Sequence, residues 1–195
     1  MRRRSFVPLI AVPVLLLTLA APVAAAPPMR ESGTQESFSS VATACSGSTC
    51  TNTAVDAFTL DSETLVVCLN SYTYNVRTGR LVSQESGCTE TSPDALTVTG
   101  DFTVTLADTT VTLATCNQRG CTEGDTVTVS ARDSAVGPVF SETGRGTFTD
   151  GTCTSRYRFS SESAQIAGTM TIDGVTLQQS GSASISQFTV SSTCS

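Results

Sequence analysis

Between residues 95 and 106 apolar and polar side chains alternate with a period of two. Leu96, Val98, Phe102, Val104 and Leu106 fall on one side, and Thr97, Thr99, Asp101, Thr103 and Thr105 on the other. Successive residues of a strand point to opposite faces of a sheet, so this stretch predicts a half-buried antiparallel strand. From Cys45 onwards the same texture recurs: Ser and Thr are abundant, helix formers are scarce, and no segment carries an apolar helical stripe. The chain is therefore expected to be all-β. About nine or ten short strands would form an antiparallel β-sandwich, as one domain or two small tandem sandwiches.

Turn residues propose the register. A turn at Ala107-Asp108-Thr109-Thr110 would set Leu106 opposite Val111 and Val104 opposite Leu113, keeping the apolar faces together. Asp173-Gly174 as a two-residue loop places Ile172 against Val175 and Met170 against Leu177. Asp150-Gly151 as a loop sets Phe148 opposite Cys153 and Arg145 opposite Arg156. A three-residue loop Arg77-Thr78-Gly79 sets Val76 against Arg80 and, further along, Cys68 against Cys88.

That last alignment bears on eight cysteines: Cys45, Cys50, Cys68, Cys88, Cys116, Cys121, Cys153 and Cys194. An even number in an exported chain implies a disulfide framework. Cross-strand geometry proposes Cys68–Cys88. The short spacings propose Cys45–Cys50 and Cys116–Cys121 as local staples, which leaves Cys153–Cys194 to pin the last strand.

Export is read from the start of the chain. Arg2-Arg3-Arg4 precedes an apolar stretch ending in small residues, the pattern of a signal peptide over 1–25, with the general secretory route favoured over twin-arginine export. Residues 26–44, polar and low in apolar content, read as a flexible leader before a β domain over 45–195. Gly87-Cys88-Thr89-Glu90 recurs as Gly120-Cys121-Thr122-Glu123, which raises an internal duplication with its boundary near 116. No second apolar run reaches spanning length, so no membrane span is expected in the mature protein.

All 11 basic residues are arginine, and three leave with the signal, so 8 remain against 17 acids and the mature net charge is −9. Such a chain repels nucleic acid and anionic membranes. The absent residue types exclude more. Without histidine there is no Ser-His-Asp triad or histidine metal site. Without lysine there is no Schiff base and no P-loop lysine. Thiols held in disulfides are neither nucleophiles nor metal ligands. No calcium loop is present, so neither a metal nor a cofactor is expected.

Three groups of residues remain as candidates. Arg145, Arg156 and Arg158 share a face of the Asp150-Gly151 hairpin, where like charges require a neutralising partner: nearby acids, or a small anion or acidic glycan. Tyr72 and Tyr74 share a face with Cys68 and Asn70; they pack in the core beside the bridge, or, if exposed, stack on sugar rings. Arg119 lies in the cysteine-flanked loop 117–120, where a protease inhibitor would present its specificity residue. Asp61 with Glu63, or Glu123 with Asp125, are the acids a carboxylate-based hydrolase would use, but both pairs read as solvated turn residues.

In composition, acidic and rich in Ala, Thr, Gly and Ser, the chain resembles the enediyne-binding apoproteins, small secreted bacterial β-sandwich proteins. No motif accompanies the likeness and no residue carries over. The expectation is an exported, non-catalytic β-protein that binds a cell-envelope glycan or an extracellular protein, or acts structurally. A secreted protease inhibitor and a carboxylate-based hydrolase are the alternatives.

Overall fold

The computed structural model describes all residues except 1–28, 61–62, 118–119 and 195, with no side-chain description for 116–121. The expected signal peptide lies outside these residues. The described chain is antiparallel β throughout. Its strands are β1 (Met29–Ser46), β2 (Thr49–Thr59), β3 (Leu65–Asn75), β4 (Leu81–Thr91), β5 (Leu96–Val98), β6 (Val104–Asn117), β7 (Gly120–Asp150), β8 (Cys153–Ile172) and β9 (Val175–Cys194). The one helical feature among the described residues is a 3-10 turn, Pro93–Ala95.

The nine strands form a single sheet in the order β4-β3-β2-β1-β9-β8-β7-β6-β5. Ser86 of β4 also pairs with Ala114 of β6, so the sheet curls round until its two ends meet. At that seam Gly87 packs directly on the Thr112 backbone, where a Cβ would overlap the carbonyl. The curled sheet encloses one core. Phe38, Val55, Leu65, Val67, Leu69, Phe102, Val104, Leu106, Val111, Val129, Ile166 and Met170 are all buried in it. Tandem sandwiches with separate cores are not what forms.

The supposed leader is the main correction. Residues 29–46 make β1, paired with β2 on one side and β9 on the other. Phe38, Ser40 and Ala42 alternate into the core while Ser39, Val41 and Thr43 stay exposed. The segment looks unstructured in sequence because its inward residues are few and small. Its order comes from backbone bonds to two neighbours, which composition does not reveal.

The loops differ in detail too. The stretch 95–106 is not one strand: it folds back on itself, Leu96 opposite Leu106 and Val98 opposite Val104. Asp101 holds the bend by accepting from the Thr99 hydroxyl and the Thr103 amide, and these bonds lower its pKa. Folding back preserves the alternation, because paired strands put their apolar residues on one face. The expected turn at 107–110 is a bulge: β6 runs through it, with Leu106 opposite Ala131 and Thr109 opposite Val129.

Asp173-Gly174 forms the loop between Ile172 and Val175 as the sequence implies, with both loop residues at positive φ. The β7–β8 hairpin turns one residue later than expected. Asp150 pairs with Cys153, the loop is Gly151-Thr152, and Phe148 faces Ser155 rather than Cys153. Only Gly151 of that loop has positive φ, as a turn with glycine first requires. In the β3–β4 hairpin Asn75 closes on Arg80, making the loop a residue longer, and a bulge between Thr73 and Tyr74 restores the register. Cys68 still falls opposite Cys88 because the two departures cancel.

Disulfides join Cys45–Cys50, Cys68–Cys88 and Cys153–Cys194, each between residues directly opposite in the ladder and 4.0 Å apart at Cα. Cys116 is opposite Cys121 in the β6–β7 backbone register, but that bridge lies outside the described side chains. The abundance of hydroxyl residues has a structural use. Ser37–Ser184, Thr51–Thr73, Ser155–Ser192, Ser161–Ser186 and Thr171–Thr176 pair by cross-strand hydroxyl hydrogen bonds of 2.7 to 3.1 Å.

Four strands continue beyond the core. The start of β1 (29–36), the end of β9 (184–194), the start of β8 (153–163) and the end of β7 (139–150) form a single-layer blade. Of its side chains only Ser155 is buried.

Candidate functional site

The blade has two chemically different faces, and the register assigns each side chain to one of them. One strand-to-strand row runs Thr147, Arg156, Ser191, Arg30. The next runs Arg145, Arg158, Thr189, Ser32. Directly opposite residues project to the same side, as do residues two apart along a strand. Four arginines therefore share one face: Arg30, Arg145, Arg156 and Arg158.

Strand spacing of ~4.8 Å and a rise of ~3.3 Å per residue put their Cα atoms within an area of about 7 by 15 Å. The arginines surround an open depression of about 660 Å³ with Thr147 and Thr189 on its floor. Among the described residues none of the four makes a side-chain hydrogen bond or ion pair. The nearest acids on that face, Glu162 and Glu36, share one row at the core end with Ile185 between them, and Glu162 is four residues along the strand from Arg158. That is about 13 Å, well beyond a salt bridge. Glu31, Glu142 and Asp150 belong to the other face, where their register partners place them.

The sequence expectation is corrected on one point and enlarged on another. Arg145 faces Arg158, not Arg156, because the loop is Gly151-Thr152. Arg30 joins the group only because the supposed leader is a strand. Its signal in the sequence is the alternation Phe38, Ser40, Ala42, which extends the strand assignment upstream.

The opposite face is aromatic and glycine-rich. Phe159 lies over Gly144, Tyr157 over Gly146 and Phe188 over Gly33, each ring occupying the space a Cβ on the neighbouring strand would need. Phe148 stands 6.5 Å from Tyr157 between ring centres. Here an aromatic side chain stiffens each weak glycine position of a sheet that has no second layer.

The tyrosines lie elsewhere. Tyr74 pairs with Cys50, itself bonded to Cys45, at the end of β1 away from Arg30. Tyr72 and Tyr74 share the outward face of β3 with Cys68 rather than packing in the core beside its bridge, with Tyr72 40% exposed and its hydroxyl accepting from Asn52 at 2.7 Å. Their rings are 6.2 Å apart and tilted by 31°. Arg119 and Asp61 lie outside the described residues, while Glu123 and Asp125 are exposed on β7 rather than in a turn. Among the described residues no three acids or cysteines converge as a metal site would require, and no helix is long and apolar enough to cross a membrane.

No protein-family model matches the chain, and neither does any curated protein. Among solved structures the chain is similar to one from Nitrosomonas europaea provisionally described as AttH, with 12% identity and a TM-score of 0.29. The match covers 80% of this chain, which spans about half (51%) of that one. A superposition this loose assigns neither fold nor function.

Proposed function

We propose that this is an exported, non-catalytic binding module that holds a polyanionic ligand of the cell envelope or its surroundings, an acidic glycan, on the arginine face of the blade. The observation that carries the reading is the placement of Arg145 opposite Arg158, with Arg156 and Arg30 in the adjacent row. Facing guanidinium groups cost stability unless an anion neutralises them. Arginine presents a planar fork of donors that matches carboxylate, sulfate and phosphate oxygens. The spread of the four favours a chain of anionic groups over one small ion. The hydroxyls of Thr147, Thr189 and Ser191 between them suit the sugar hydroxyls of such a chain. Three disulfides support an oxidising location outside the cytoplasm.

Calorimetric titration with polygalacturonate, and with dextran as the neutral control, tests this. Polygalacturonate is expected to bind, more weakly as salt is raised, and dextran is not. Arg145→Ala with Arg158→Ala should lower the affinity at least tenfold. Absence of binding, or binding indifferent to these substitutions, refutes the proposal.

A further inference from the structure

The blade has two outer edges among the described residues. β2 pairs with β1 only from Ser37 onwards, and β6 pairs with β7 only as far as Asp133. Among the described residues no strand therefore lies beside the outer edge of β7 from Val139 to Asp150. A two-residue hairpin loop is closed by a hydrogen-bonded pair, here Asp150 and Cys153. Alternation along the strand then turns the peptide groups of Val139, Ser141, Thr143, Arg145, Thr147 and Thr149 outwards. Proteins usually blunt such an edge with proline, lysine, a bulge or a very short strand. This one is long and regular, and the nearest proline, Pro138, sits in the bulge before it. Phe140 and Phe148 on that strand are 59% and 52% exposed.

We propose that this edge pairs with the same edge of a second copy of the chain, antiparallel about a two-fold axis at Gly144. The occupant is a second copy because the strand is self-complementary in that register. Pairing about Gly144 sets Phe140 beside Phe148 of the second copy, Glu142 beside Gly146 and Arg145 beside Thr143, so no like charges face each other. All six outward-facing residues then meet outward-facing partners. Moving the axis to Arg145 would put that arginine opposite itself and Phe140 opposite Asp150. Moving it to Thr143 would carry the pairing of Phe148 and Thr149 into the bulge between Ala135 and Val139, where β7 leaves the regular ladder. The product is a continuous eight-stranded blade with both arginine faces on the same side, which doubles the cationic surface.

Sedimentation velocity of the full exported protein over a concentration series up to about 100 µM tests this, since a dimer responds to concentration by mass action. The wild type should sediment with twice the mass of the chain. Thr143→Pro removes an outward amide without touching the bonds to β8, and Phe148→Glu places a charge against Phe140 of the second copy. Each should give a monomer with an unchanged far-ultraviolet dichroism spectrum and intact disulfides. Phe148→Glu alone decides the matter if the proline variant does not fold. A wild-type monomer at the highest concentration overturns the proposal, as does a dimer that persists in every variant that folds.

Discussion

Arg145 stands directly across the β7–β8 ladder from Arg158, so two like charges occupy facing positions on an exposed sheet. A fold selected for stability alone has no reason to keep them there. Arg145→Glu should therefore raise the melting temperature, by roughly 1–4 °C, from relief of repulsion and gain of a cross-strand ion pair. The same substitution should abolish polygalacturonate binding. Thermal melts and titrations on one preparation check both. A stability gain with no loss of binding would separate the pair from the ligand.

Asp133 is expected to make stability depend on pH. It is 3% exposed and accepts from Gln179 Nε2 at 2.6 Å, while its other oxygen and Gln179 Oε1 have no partner. Burial pushes its pKa from 3.8 up to about 6, partly offset by the Gln179 bond. Below pH 4 the carboxyl is protonated in both folded and unfolded chains and contributes no difference. Between about 4 and 6 the unfolded chain releases its proton first, so stability falls as pH rises, and above 6 the loss is complete. The loss amounts to about 3 kcal/mol. Asp133→Asn should remove most of this slope and stabilise the protein at pH 7.5. Urea unfolding at pH 4.5 and 7.5 measures it; parallel pH dependence in both proteins would show that Asp133 is not the cause.

Gly181 allows β9 to curl against β1. A Cβ there would overlap the Ser39 carbonyl oxygen, backbone that cannot move aside cheaply. Gly181→Ala should cost about 1–3 kcal/mol, seen as a lower urea midpoint with no change in disulfide content. Gly100, with open space around its Cβ position, is the control and should tolerate alanine.

Much of the architecture was legible in the chain. Alternation at 95–106 identified the face carrying Leu96, Val98, Val104 and Leu106 even though the strand doubles back there. The Cys68/Cys88 alignment survived because a longer loop and a bulge cancel. The Arg145/Arg156 pairing did not survive, since one residue in loop placement shifts the facing partner by two. Arg30 was missed for a different reason: the alternation of Phe38, Ser40 and Ala42 is short and built mostly of small residues, and the order of the segment comes from two neighbouring strands that local composition does not reveal.

The sequence by itself determined the class of fold and the chemistry at hand. Period-two patterning, glycine turns and paired cysteines are local signals, and missing histidine and lysine are facts of composition. Tertiary structure alone decided that the sheet closes through Ser86 and Ala114, that β1 is a central strand, and that four arginines gather on one face of an open blade. Those outcomes rest on pairings between residues far apart in the chain. Their free energy comes from burial and backbone hydrogen bonds that exist only once the whole sheet is formed.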